Sequence, residues 1–311
     1  MKVRAWTGSD EIAAVYVAET DDGRHVEFVE SVEPPIPRDE KWVLIVSTLF
    51  GCPGRCRFCD AGGAYAGPLS RDEILFQTDY LIERRYPPRV VPAGKFKIQF
   101  ARMGDPALND AVLDVLEELP DRYDAPGLMP ALSTIAPSGR DEFFERLLDI
   151  ARSRYKGRFQ LQFSLHTTDP GKRDWLMPMK KWGLEEIARY GERFHVKGGR
   201  KITLNFALAE GMPLDLAVMK RHFDPQTFYI KITPVNPTYA AVQNNLQSSV
   251  SAGAKAEWLV GLLRSGGYDV LLSIGALEEN AIGSNCGQYI KRFLEADSSL
   301  ESGYDRRLVS V

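Results

Sequence analysis

Cysteine and histidine are both scarce in this chain, with four of each among 311 residues. So few thiols in so long a chain exclude a disulfide-built fold, and thiols that cluster yet stay reduced suit the cytoplasm. Long apolar runs are missing too. The longest, such as WVLIVSTLF (42–50), fall well short of the ~20 residues that span a bilayer. The opening MKVRAWTGSDE has no apolar stretch of signal-peptide length, so no membrane partner is expected. Charge of one sign is lacking as well. The net charge is −3 and the pI near 5.9, which does not announce a nucleic-acid binder, although a local basic patch can hide inside an acidic average. Repeats, low-complexity tracts and an obvious inter-domain linker are absent. What remains is an ordinary globular mixture, 44% hydrophobic and 26% charged, long enough for one large domain or two small ones.

The apolar pattern changes rhythm once. Residues 12–31 alternate apolar and polar around Asp21-Asp22-Gly23, which predicts a hairpin. A Pro-rich connection, EPPIPRDE (33–40), leads out of it. From residue 42, β-rich runs alternate with helical patterns. Strands are expected at 42–49, 96–101, 129–135, 159–165, 201–208, 228–234 and 268–274. Helices are expected at 71–85, 109–119, 140–153, 184–194 and 254–265. Strand–helix alternation implies parallel strands with helical crossovers. About six such units fit an α/β partial (βα)6 TIM-like barrel better than the eight-unit form; a doubly wound open sheet is the alternative. The expected division is a hairpin extension and linker over 1–40, the barrel over 41–275 and a carboxyl-terminal segment over 276–311.

On that map the unusual residues fall after strands. Cys52, Cys56 and Cys59 follow the first, Gly104 and Asp105 the second, Ser133 ends the third, Ser164 and His166 the fourth; Asn236 follows the sixth and Cys286 the seventh. Parallel α/β folds bind ligands beyond the carboxyl ends of their strands, so these groups are expected at one mouth. Cys52, Cys56 and Cys59 read C-x3-C-x2-C. Thiolates ligate zinc or iron–sulfur clusters. Structural zinc asks for four closed ligands, and here a triplet stands with no neighbouring fourth, the nearest histidine in sequence being His25. Three cysteines on an iron–sulfur cluster leave one iron open. Zinc is the lesser alternative.

The triplet, with Phe58 before its last cysteine, resembles the radical S-adenosylmethionine (SAM) superfamily. The stretches FCDAGGAYAGPLSRDEI (58–74), MGDPALN (103–109), ALSTIAP (131–137), FSLHTTDPGKRDWLMPMKKWGLEEI (163–187), ITPVNPT (232–238) and SNCGQYI (284–290) are in family order. They resemble the radical SAM adenosine methyltransferases of ribosomal RNA and their antibiotic-resistance relatives. The resemblance implies a [4Fe–4S] cluster on Cys52, Cys56 and Cys59, with SAM against Gly104, Asp105, Ser133, Ser164, His166 and Asn236. It also implies that Cys286 takes a methyl group from one SAM before a second supplies the radical, and that an electron donor such as flavodoxin or ferredoxin is needed. Each residue also has a plainer reading. Cys286 and His166 alone would be core side chains, Ser133 and Ser164 helix caps, and Asn236 between two prolines a turn former.

Three departures from the family bear on the substrate. Asp105 stands where a glutamate is usual and keeps the carboxylate. Ile45 stands where the family has a second catalytic cysteine, and isoleucine cannot act as a base; Glu27 and Glu30 are the nearest candidates to replace it. The 51 residues before Cys52 read as hairpin and linker, where the family carries a small helical RNA-gripping domain. Together with the net charge, these imply a small-molecule or peptide substrate rather than ribosomal RNA. The alternatives are an RNA adenine methyltransferase with another resolving base, a radical SAM enzyme of different reaction type, and a retired relative that binds without turnover.

Overall fold

The computed structural model describes residues 1–250, 254–274, 279, 282–284, 288–294 and 308–311. Three antiparallel strands come first: β1 (Lys2–Gly8), β2 (Ala13–Glu19) and β3 (His25–Ser31). Strand β4 (Lys41–Val46) pairs antiparallel with β3 and opens a parallel series. The series continues through β5 (Lys95–Phe100), β6 (Leu128–Thr134), β7 (Gln160–Ser164), β8 (Ile202–Leu208), β9 (Phe228–Pro234) and β10 (Asp269–Leu272). A short β11 (Val309–Ser310) pairs with β1. The strands form one sheet in the order β10-β9-β8-β7-β6-β5-β4-β3-β2-β1-β11, and among the described residues no ladder closes it.

Six crossovers join the seven parallel strands. They contain α1 (Arg71–Glu83), α2 (Ala111–Arg122), α3 (Asp141–Ile150), α4 (Pro170–Leu176) with α5 (Leu184–Phe194), α6 (Leu216–His222), and α7 (Tyr239–Gln243) with α8 (Ala254–Ser265). A final helix, α9 (Tyr289–Leu294), packs against β2 and β3. The α/β partial barrel expected from strand–helix alternation is therefore the fold. Among the described residues no helix is long and apolar enough to cross a membrane.

Sequence boundaries and observed ones differ where chemistry intervenes. The run expected to be a strand to residue 49 leaves the ladder at Val46. There the Ser47 amide donates to Gln77 Oε1 (2.8 Å), and the Thr48 and Leu49 amides turn to the Met103 carbonyl (2.9 and 3.1 Å). That turn delivers the cysteine loop to the sheet's carboxyl edge. Helix α4 was not anticipated, yet its start has a plain cause: Asp169 caps it by accepting from the Lys172 amide, with Pro170 at the first position.

The parallel strands have two unlike faces. Trp42, Leu44, Phe96, Ile98, Phe100, Phe163, Leu204, Phe206, Ile230 and Ile232 are buried in the layer shared with the helices. The alternate positions on four of the strands are largely polar: Lys95, Lys97 and Gln99 on β5, Gln162 and Ser164 on β7, Thr203 and Asn205 on β8, Lys231 and Thr233 on β9, while β4 and β6 place Val43, Ile45, Met129 and Ala131 there. Strands of a parallel sheet buried on both sides read as continuous apolar runs. This alternation marks a lumen built for something polar.

Candidate active site

The carboxyl ends of the strands and their loops enclose a cavity of about 350 Å³, a size typical of small-molecule sites. Cys52, Cys56, Cys59, Gly104, Asp105, Ser133, Ser164, His166 and Asn236 all line it. Nine residues spread over 185 positions of sequence thus meet at one place. Ile45 lines it as well, beside Gln99 on the next strand.

The cysteine loop is pinned from two sides. Asp60 accepts from the Ala240 amide (2.8 Å) and Thr238 Oγ1 donates to the Phe58 carbonyl (2.8 Å), tying the loop to the start of α7. Arg57 donates to the Trp175 carbonyl (2.9 Å) and to Asn244 Oδ1 (3.1 Å), tying it to α4 and the end of α7. The three cysteines are free thiols, each half-buried. Gly54 sits between two of them: a Cβ there would lie 3.3 Å from Cys52 Sγ and 3.8 Å from Cys56 Sγ. Burial pushes the Cys56 thiol up to about 12, helped by Cys52 and Asp105, and raises Cys52 in the same way. Buried thiols of this kind become thiolates when a metal supplies the compensating charge. Among the described residues no three His, Cys, Asp or Glu side chains converge on a single ion. That does not describe a closed tetrahedral zinc site. Three cysteines lining one cavity match the donor set of an iron–sulfur cluster with one iron open.

Gly104 and Asp105 follow β5. Gly104 has φ +85°, and any Cβ would meet the Leu49 side chain at 2.3 Å, so glycine is required there. Asp105 accepts from the Ala107 amide (3.0 Å), Thr134 Oγ1 (2.7 Å) and the Ile135 amide (2.7 Å). Burial raises its carboxyl to about 6 against the pull of those donors. Oδ1 takes two of these bonds and Oδ2 one, so one acceptor site, on Oδ2, is left for a cationic ligand such as an ammonium group.

His166 sits at φ +63°, in edge contact with Phe58 at 4.7 Å. Its Nδ1 accepts from the Ala207 amide (2.9 Å), which fixes the Nε2–H tautomer and leaves a donor for the cavity. Burial, with nearby Arg173, pushes its pKa down to about 3, so the ring is neutral at physiological pH. Arg173 is itself consumed in the wall, donating to the Trp182 carbonyl (2.6 Å) and the Ile135 carbonyl (3.2 Å).

Glu27 and Glu30 do not line the cavity. They lie three residues apart on one strand and so point to opposite faces of the sheet. Glu30 is buried on the helix face. It accepts from Tyr16 Oη (2.8 Å) and Trp42 Nε1 (3.3 Å) and pairs with Arg85 (2.6 Å). Glu27 is on the lumen face and fully buried, 2.7 Å from the Arg102 guanidinium, and accepts from the Ile290 amide (3.1 Å). Arg102 also donates to the carbonyls of Gly283 (2.8 Å) and Ser284 (2.9 Å). Cys286 lies outside the described residues. The residues flanking it in sequence are held by this pair, and Ile282, Tyr289 and Ile290 pack in one cluster with Ile45.

Among the polar lining residues that sequence reading passed over are Arg102, Gln162, Asn205 and Lys231. Gln162 Nε2 and Asn205 Oδ1 are buried with no hydrogen-bond partner among the described residues. The signal for the last three was present as polar residues alternating inside the strand patterns QLQFS, ITLNFAL and FYIKITP.

No family model matches the chain. It is similar to proteins described as probable dual-specificity RNA methyltransferase RlmN. The one from Desulfitobacterium hafniense (strain Y51) is 32% identical over 206 residues, 64% of this chain and 55% of that protein. The one from Synechococcus sp. (strain CC9311) is 31% identical over 199 residues, 62% and 53% of the two chains. The chain thus spans about half the length of these relatives. A dual-specificity RNA methyltransferase RlmN from Wolinella succinogenes aligns over 300 residues at 26% identity, 90% of this chain and 81% of that one. Among solved structures, a radical SAM methyltransferase from Sphaerobacter thermophilus has the same fold, with a TM-score of 0.70 over 93% of this chain and 81% of that one at 19% identity.

Proposed function

The chain is a relative of the RlmN-type radical SAM proteins, and from that premise we propose that it is a radical SAM enzyme transferring a SAM-derived one-carbon unit through Cys286. The observation that carries the reading is the single cavity lined by Cys52, Cys56, Cys59, Gly104, Asp105, Ser133, Ser164, His166 and Asn236. In this reading the three thiolates hold a [4Fe–4S] cluster. Asp105 receives the SAM ammonium; Ser133, Ser164, His166 and Asn236 hold its ribose and carboxylate. When bound, cluster and SAM supply a methyl group and, on reduction by a donor such as flavodoxin or ferredoxin, a hydrogen-abstracting radical.

The protein's own part is placement and exclusion. Neutral His166 offers an Nε2–H donor without adding a charge to the cavity. The Glu27–Arg102 pair grips residues 283, 284 and 290, which lie on either side of Cys286 in sequence. This engagement supports a positioning role for Glu27. Glu30, held by three partners on the other face, supports the fold.

The proposed substrate is a small molecule or peptide. Ile45 contributes an apolar wall at the point where the resembled family places a resolving thiol, so the reaction either needs no such step or resolves its adduct otherwise. A second reading, RNA adenine methylation, is favoured by the names of the relatives. Reconstituted protein, SAM and reductant incubated with unmodified ribosomal RNA fragments decide between them. Catalytic formation of C2- or C8-methyladenosine establishes the second reading. A stalled protein–RNA crosslink places RNA in the site with the resolving step lost. The first reading expects neither.

A further inference from the structure

Two carboxamide side chains that line the cavity, Gln162 on β7 and Asn205 on β8, each carry an unanswered buried atom. The ladder fixes where they stand. Gln162 is directly opposite Ser133 of β6, and Asn205 is directly opposite Ser164 of β7. Gln162 and Ser164 are two apart on one strand and so share a face, and all four residues line the cavity. Gln162 and Asn205 are therefore diagonal neighbours on the lumen face. A strand spacing of ~4.8 Å and two rises of ~3.3 Å put their Cα atoms about 8 Å apart, a separation that one small ligand group can bridge.

Gln162 is 4% exposed, and among the described residues its Nε2 donor has no partner; nor has the Asn205 Oδ1 acceptor. Buried polar groups are ordinarily satisfied. The charged residues of the lining are engaged elsewhere: Asp105 by Ala107, Thr134 and Ile135, Arg102 by Glu27, and Lys231 and Glu279 each by an interaction of its own. What the pair presents is one N–H donor and one oxygen acceptor, both uncharged. A carboxylate or phosphate answers Nε2 but sets an acceptor against Oδ1. An ammonium answers Oδ1 but sets a donor against Nε2. An amide carries a carbonyl oxygen and an N–H together and answers both.

We propose that Gln162 and Asn205 form a neutral recognition pair for an amide group of the substrate, with Gln162 Nε2 donating to its carbonyl oxygen and its N–H donating to Asn205 Oδ1. This rests on the reading of the cavity as the chamber for a small-molecule or peptide substrate and narrows that substrate to one bearing an uncharged amide. The pair is a specificity determinant and takes no part in the chemical step.

The test uses the full chain, reconstituted anaerobically and saturated with SAM. Benzamide, its isosteric acid benzoate and free adenine are titrated separately, and binding is followed by saturation-transfer NMR. Saturable binding of benzamide in preference to the other two is expected. Gln162→Met should weaken benzamide about three- to tenfold, as for loss of one neutral hydrogen bond, with iron content and SAM affinity held. Asn205→Leu, on the neighbouring strand, should do the same and serves if Gln162→Met fails to fold. Without any probe, Gln162→Met should keep or raise the urea midpoint, because it removes an unanswered buried donor. A lowered midpoint with unchanged benzamide affinity would make Gln162 a fold contact and overturn the proposal. Benzoate binding as tightly as benzamide overturns it, as does the absence of saturable benzamide binding. Preferential binding of adenine, weakened by the same variants, overturns it in favour of a nucleobase. Loss of SAM affinity in the variants with benzamide unchanged overturns it too, since the pair would then serve SAM. Failure of the cluster reading is separable: the wild-type protein would lack iron whether or not benzamide binds.

Discussion

The two faces of the parallel strands are made from the same backbone and solve opposite problems. On the helix face, the buried side chains of Gln77 and Glu30 are answered. Gln77 exchanges hydrogen bonds with the Ser47 backbone, and Glu30 is held by Tyr16, Trp42 and Arg85. On the lumen face, among the described residues, Gln162 Nε2 and Asn205 Oδ1 have no hydrogen-bond partner, and the charges acting on Lys97 are cations. A face that only had to fold would not keep such groups, because each costs free energy when buried unpaired. The helix face stabilises the chain, and the lumen face keeps groups whose partners are ligands.

That contrast breaks first at the cysteines. Replacing Cys52, Cys56 and Cys59 together by Ala should abolish iron binding and SAM cleavage while leaving the far-UV circular dichroism near wild type, since Arg57, Phe58 and Asp60 tie the loop to α4 and α7. Collapse of the fold would show that the loop is structural.

The helix face should respond in the opposite sense. Glu30→Ala leaves Arg85 with Asp10 and takes the acceptor from Tyr16 Oη and Trp42 Nε1, and should cost about 1–3 kcal/mol of stability in urea unfolding, with iron content per folded molecule unchanged. A stability loss within ~0.5 kcal/mol would remove Glu30 from the supporting network.

The Glu27–Arg102 pair lies between the two cases, since it is buried yet grips the segment that carries Cys286. Glu27→Gln keeps the shape and the acceptor for the Ile290 amide but removes the charge facing Arg102. It should lower the methylated fraction of the Cys286 peptide from cells several-fold while SAM cleavage persists. Equal methylation in variant and wild type would reduce the pair to packing.

The smallest effect is a pH dependence. Lys97 has its pKa lowered from 10.5 to about 7 in the folded chain. Between those values the unfolded chain binds more protons, so stability should rise with pH through that window. Below it the full destabilisation is present. Burial is the main cause of the shift, and Lys231, Lys95, Arg200 and Lys41 add to it. Lys97→Met should flatten the rise, measured as the urea midpoint at the two ends of the window. An identical slope in the variant would assign the effect elsewhere.

Much of this architecture was legible in the sequence. β9, α5 and α8 fall on the runs 228–234, 184–194 and 254–265, because each run keeps one period between clear stops. The nine lining residues were legible because each stands just past an apolar strand. β1 was missed, since KVRAWTG is short, carries two cations and finds one partner in the distant β11. The opposite fates of Glu27 and Glu30 were available from their odd spacing alone. Arg102 was not, because its partners Gly283 and Ser284 lie some 180 residues away and no local pattern announces such a contact. The lumen lysines were readable as K-x-K-x-Q on β5, but only once the parallel sheet fixed which face was inside.

The central claim is that the lumen face is a radical SAM site, and iron and nucleoside analysis of one sample tests it most directly. Protein reconstituted without oxygen, then given SAM and a reductant, should hold about four irons per chain and release 5′-deoxyadenosine. Active protein with stoichiometric zinc and no iron, or a fully loaded cluster that leaves SAM intact, would contradict it.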